Sequence, residues 1–254
     1  MLDRLPPELL DDILLLAVRG PKDDRQRLRD QARLAQLCLT SSYVAQRVQP
    51  LLFRDVLIDR ASTCDAFERT LRERPGLAAG LNTARLRFDE EPQVPPLLLG
   101  RGCDLFALLP NLRAVFLSKF VEEPVDLSCL AAIPHLEHLV LELVLLEEVP
   151  STITFPSLRS LSLTAITSTA LPHPAGGALL NPTLFPSLRA LAMSANVPPS
   201  IASLGPLDVL QVRATSDLLD LTRLRRIPQI NVVSLPLDPV QCRWTRVRIL
   251  RHVL

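Results

Sequence analysis

Four groups of residues in this chain are of types that do chemistry. His135 and His138 flank Glu137. Arg243, Arg246, Arg248 and Arg251 crowd the segment Gln241 to Leu254, which holds no acid. Five cysteines stand at positions 38, 64, 103, 129 and 242, and serines are scattered throughout. Two histidines need further ligands to hold a metal, and on a strand Glu137 faces away from them. No HExxH spacing occurs, and neither does a GxSxG elbow, a Walker loop or a GxGxxG turn. Glycine-lined phosphate cradles also lack material, since there are only 8 Gly against 23 Pro. No catalytic residue, no metal, no cofactor and no enzymatic activity of the chain itself are therefore expected.

The arginine strip has one sharp reading and one plain one. A guanidinium grips a carboxylate or phosphate through two parallel N–H bonds, so the strip suits an acidic or phosphorylated protein segment. A basic edge strand that discourages aggregation would carry the same residues. Nucleic acid is not expected as a partner. Lys+Arg is 28 against 27 Asp+Glu, a net charge of +1, and a single Trp leaves little for stacking on bases.

The odd cysteine number, with no CxxC pair, argues against a disulfide framework and for a reduced cytoplasmic and/or nuclear setting. Asp11 and Asp12 interrupt the first apolar run, so no signal peptide is expected. The uncharged stretch Ser160 to Leu188 is long enough to span a bilayer. Its Pro172, Pro174, Pro182 and Pro186, with Gly176 and Gly177, would strand backbone groups in lipid, so no membrane span is expected.

Any binding surface must be positioned by a repeat. Of 254 residues, 54 are Leu, and hydrophobic residues reach 48%, which excludes a disordered chain. Phe155-Pro156-Ser157-Leu158-Arg159-Ser160-Leu161-Ser162-Leu163 is echoed by Phe185-Pro186-Ser187-Leu188-Arg189-Ala190-Leu191-Ala192-Met193. Related units begin at Leu109, Ile133, Gly205 and Ile227. All share an apolar-x-x-apolar-x-apolar frame preceded by Pro, with Pro at 110, 134, 156, 186, 206 and 228. The intervals of 24, 22, 30, 20 and 22 residues mostly fall in the leucine-rich-repeat window of about 20–29. The frame recurs without Pro at Phe53, Thr83 and Trp244, giving about nine strands.

Within each frame the residues alternate, which is strand periodicity. One set points into a core. The other forms an outward column of Phe116, Val140, Ser162, Ala192, Gln211, Ser234 and Arg248, with His138, Glu142, Arg213 and Arg246 beside it. Phe116, His138, Gln211, Arg213 and Arg248 are the candidate residues for holding a protein target. The slot where regular repeats place Asn to tie loops holds Asn196 once. Elsewhere it holds Phe120, Val144, Ile166, Thr215 or Asp238, so an irregular array is expected. Between strands, Ser62 to Arg74 and Thr215 to Arg225 carry helical spacing.

The first fifty residues differ. Leu9, Ile13, Leu16 and Ala17 form one helical face, with Leu10 and Leu14 beside it, and Gly20-Pro21 ends that helix. After the mixed-charge run Lys22 to Asp30, a second helix carries Leu34, Leu37, Cys38, Ser41, Ala45 and Val48, closed by Pro50. So much apolar surface on a small segment implies a partner as well as internal packing.

Leu5-Pro6-Pro7-Glu8-Leu9-Leu10-Asp11-Asp12-Ile13-Leu14 resembles the LPxELLxxIL opening of an F-box, and Leu34 to Tyr43 resembles its later helix. Val48 to Val56 is similar to the exit seen in fungal F-box proteins. The resemblance implies an α/β chain in which residues 1–50 form a helical F-box-like domain. Residues 51–254 would form an irregular leucine-rich-repeat solenoid. That array reaches a strand over 247–253 with no evident capping unit, so an incomplete C-terminus is left open. The resemblance also implies a substrate-recognition subunit of an SCF-type ubiquitin ligase. It would dock a Skp adaptor, and through it a cullin, with Leu5, Pro6, Leu9, Ile13 and Leu37, Leu10 and Leu14 being lesser contributors. The repeats would bind an unidentified protein substrate. The alternative is a non-ligase repeat scaffold whose first helices act only as a cap.

Overall fold

The computed structural model describes residues 6–18, 24–58, 61–87, 105–146, 152–168, 180–194, 204, 207–214, 230–234 and 245–248. The fold is mixed α/β. Three helices, α1 (Pro7–Val18), α2 (Asp24–Cys38) and α3 (Ser42–Leu52), precede a ten-stranded sheet. Its strands are β1 (Asp55–Ile58), β2 (Thr83–Arg87), β3 (Ala114–Val125), β4 (His138–Leu146), β5 (Ser160–Thr164), β6 (Thr167–Ser168), β7 (Ala190–Ser194), β8 (Val209–Ala214), β9 (Ile230–Ser234) and β10 (Thr245–Arg248). They lie side by side in chain order, except that the short β6 pairs only with β4. All pairings are parallel but the last, in which β10 runs antiparallel to β9.

The apolar frame explains the ladder. In the frame beginning at Leu109, that residue, Leu112, Val115 and Leu117 are all fully buried. The equivalents Phe155, Leu158, Leu161 and Leu163, and Phe185, Leu188, Leu191 and Met193, are buried as well. Register places Leu139, Leu161, Leu191 and Leu210 side by side across four strands, and Leu141, Leu163 and Met193 form the next row. Each such side chain contributes roughly 1.5–3 kcal/mol, available only because its neighbour stacks on it. Phe155 and Phe185 add a ring contact at 5.3 Å between centroids.

Pro110, Pro134, Pro156 and Pro186 are exposed in the turn before each strand, where a missing N–H leaves no ladder bond unmade. Turns are tied to their neighbours by side chains: Asn111 Nδ2 donates to the Ala79 carbonyl at 2.9 Å and Ser157 Oγ to the Pro134 carbonyl at 2.9 Å. Two non-glycine residues, Leu143 and Ala165, have φ of 52°. Each follows the in-register pair Glu142 and Thr164, so the same kink ends the first stretch of pairing in adjacent strands.

Several expectations are corrected. The second helix does not wait for the end of the mixed-charge run, because α2 begins at Asp24 within it. The second helix is divided: a turn at Leu39-Thr40 intervenes, and Ser41 restarts the helix as an N-cap, accepting from the Val44 N–H at 3.2 Å. Pro50 sits inside α3 rather than closing it. Ser234 does not share a row with Gln211. Asn231 does, because β9 aligns Leu210 with Ile230 and Gln211 with Asn231. Cys129 is disulfide-bonded, where no bridge is expected from sequence spacing, which says nothing of what the fold brings together. The helix Ser62 to Arg74 is observed as α4 (Ala61–Glu73). The expected helix Thr215 to Arg225 and Asn196 lie outside the described residues.

Cys64 on α4 is buried and free. Burial, then the charges of Asp65 and Glu68, pushes its thiol from 9.0 up to about 11. Since the unfolded thiol loses its proton first, stability should fall as pH rises from about 9 through 11. A native-state thiol titration should leave Cys64 unreacted until denaturant is added; rapid labelling of the folded chain at neutral pH would contradict its burial.

Candidate functional sites on the first helix and the outer sheet face

Helix α1 divides its leucines between two faces. Leu10 and Leu14, one turn apart, are 1% and 3% exposed and pack with Leu34, Val44 and Val48 of the other two helices. Leu9 and Ile13, also one turn apart, are 52% and 49% exposed. The adjacent Pro6 is exposed too. An apolar pair at i and i+4 that stands outside the described buried cluster forms a ridge one helical turn long. Leu37, the remaining candidate on this side, is half-buried against the helical cluster. Leu5 lies outside the described residues. Leu10 and Leu14, also named as contributors, are instead interior.

The helices are fixed to the sheet at its first strand. Asp55 on β1 accepts from Arg27 of α2 on one carboxylate oxygen and from Arg85 of β2 at 3.2 Å on the other. Gln31 Nε2 donates to the Asp55 carbonyl at 3.0 Å. An edge strand presents unpaired backbone groups, and α2 covers part of this edge. Arg85 also lies 3.5 Å above the Phe116 ring, so Phe116 has one face occupied within the chain. Asp55→Ala would leave two partly buried guanidiniums without their carboxylate. A loss of about 1–3 kcal/mol is expected in urea denaturation, between the values for exposed and buried pairs. No measurable loss would mean that the guanidiniums find water at no cost.

The outer face of the sheet carries the other candidates. In register, Arg85, Phe116, Val140, Ser162, Ala192, Gln211, Asn231 and Arg248 form one row across the strands. Beside it run Arg87, Ser118, Glu142, Thr164, Ser194 and Arg213. His138 is exposed one position up β4. The backbone places Arg213 and Arg248 in these rows, while their side chains lie outside the described set.

Side-chain size falls in the middle of the face. Phe116 and Val140 stand on one side and Gln211 on the other, with Ser162 and Ala192 between them. The result is an open hollow of about 240 Å³ lined by Val140, Glu142, Ser162, Thr164, Ala192, Met193 and Gln211. Of the target-binding candidates whose side chains are described, Phe116, His138 and Gln211, only Gln211 lines it. Thr164 and Met193 are added by the geometry, and Glu142, expected only beside the column, joins the lining; the signal in the sequence is the coincidence of the small Ser162 and Ala192 at one slot of consecutive repeats.

Among the described residues there is no cluster of three metal-ligating side chains, and no helix long and apolar enough to cross a membrane. Compared with family models, with curated proteins and with solved structures, the chain matches none.

Proposed function

We propose that this chain is a substrate receptor of an SCF-type ubiquitin ligase. Its first helices dock a Skp adaptor, and through it a cullin. Its sheet, read as an irregular leucine-rich-repeat solenoid, holds the target. The observation that carries the reading is the division of labour on α1, where Leu10 and Leu14 serve the interior while Leu9 and Ile13 stay exposed. A helix needing only to pack on its own chain has no use for the second pair.

The solenoid reading is supported by the in-register rows of buried leucine and by strands laid down in chain order. The chain would work by proximity, holding two proteins at fixed separation and carrying no chemistry of its own. The reading places it in the cytoplasm or nucleus. A scaffold reading, with the helices as a cap, is favoured by one observation: α2 bonds the edge strand through Arg27 and Gln31. Co-expression of the full chain with a Skp adaptor separates the two. A stoichiometric complex through size-exclusion chromatography is expected, and its absence would leave the cap.

A further inference from the structure

We infer that the hollow on the outer sheet face takes one basic side chain, lysine or arginine, from an extended segment of the protein target. The inference rests on reading that face as the target-binding side. It reverses the charge that the arginine strip alone would suggest.

Three features carry it. The first is size. A volume of about 240 Å³ is below the usual range for small-molecule pockets, about 300–1,000 Å³, and suits one long side chain. The second is the distribution of apolar and polar lining. Val140 and Ala192 offer carbon surface for an aliphatic stem, while Ser162, Thr164 and Gln211 offer oxygen acceptors. Lysine and arginine have that character, an apolar stem with a polar cationic head. The third is charge. Among the described residues, Glu142 is the one acidic or basic side chain lining the hollow. It is exposed, and among the described residues its one hydrogen bond is a long one, from Ser118 Oγ at 3.4 Å. That leaves carboxylate lone pairs open to an incoming cation. An acidic or phosphorylated side chain would meet Glu142 as a like charge.

The hollow follows from the repeat. On a parallel ladder the same slot of successive frames falls in one row, so Ser162 and Ala192 lie together although thirty residues separate them. A bulky residue at either slot would fill the space. Glu142 reaches the rim because β4 pairs in register through Ser118 and Thr164 before the kink at Leu143.

The test is selection from a library of extended peptides, randomised at each position, on the immobilised full-length chain. Enrichment of lysine or arginine at one position is expected. In Glu142→Gln, which keeps shape and removes charge, affinity for the selected peptide should fall roughly tenfold or more. In Ala192→Trp, which fills the hollow, it should be lost. Adaptor binding is measured on the same variants and should not change, so the two readings fail separately. Enrichment of acidic or phosphorylated residues, no enrichment, or basic selection that survives both substitutions would overturn the inference.

Discussion

The double substitution Leu9→Asp with Ile13→Asp is expected to abolish co-purification with a Skp adaptor and to leave the fold standing. At 52% and 49% exposure, both side chains stand outside the described buried cluster. Surface changes of this kind usually cost within about 0.5 kcal/mol each. Leu9 also lies in the first turn of α1, where a carboxylate is favoured by the free N–H groups and the helix dipole. At an interface the same changes bury two charges where apolar contact was made. If each is a central contact worth about 2 kcal/mol, affinity falls roughly a thousandfold. The control is their neighbour. Leu10→Asp puts a charge at a position 1% exposed, among Leu34, Val44 and Val48, and should unfold the helical cluster itself. A pull-down paired with circular dichroism distinguishes the cases. Binding that survives the double change with helicity intact would remove the ridge from the adaptor interface.

These neighbours also mark the limit of what the residues alone reveal. The period of α1 is plain, but Leu9, Leu10, Ile13 and Leu14 together cover too wide an arc to show which pair is interior. That is decided by Val44 and Val48, thirty or more residues away, which cluster with Leu10 and Leu14. The sheet is more legible, because each frame repeats its alternation and a parallel ladder must align like with like. Where it fails, the cause is local. The run Asn231-Val232-Val233-Ser234 offers an apolar residue in either phase, and counting from Pro228 selects the wrong one. Pairing with β8 fixes the register by setting Val232 beside Val212.

The hollow was legible only in part. Val140, Ser162, Ala192 and Gln211 can be put in one column by counting, but a depression is a difference in size between neighbours on different strands. It emerges once the row is assembled with its flanking Phe116 and Glu142. Phe116 shows the converse: an exposed aromatic is expected from its slot, yet Arg85 covers it, held there by Asp55.

Leu161→Ala is expected to cost about 2–5 kcal/mol, toward the upper end of that range. Leu161 is fully buried and stands in register between Leu139 and Leu191, both 1% exposed. The cost of a truncated core side chain depends on how far the surroundings can close over the gap. Here β4 and β7 are bonded to β5 on both sides, so the backbone cannot draw in, and the cavity should persist. Domains of this kind are stable by only about 5–15 kcal/mol, so the loss is a large fraction of the whole. The same substitution at Leu10 falls in a separate cluster that, among the described residues, shares no buried residue with the sheet. Urea denaturation followed by circular dichroism should therefore show Leu161→Ala lowering the transition of the sheet while a Skp adaptor is still bound. Leu10→Ala should weaken adaptor binding while the sheet melts at its original midpoint. Equal effects of both substitutions on both measurements would mean that the helices and the sheet unfold as one unit, and the proposed division near residue 50 would then mark no boundary in stability.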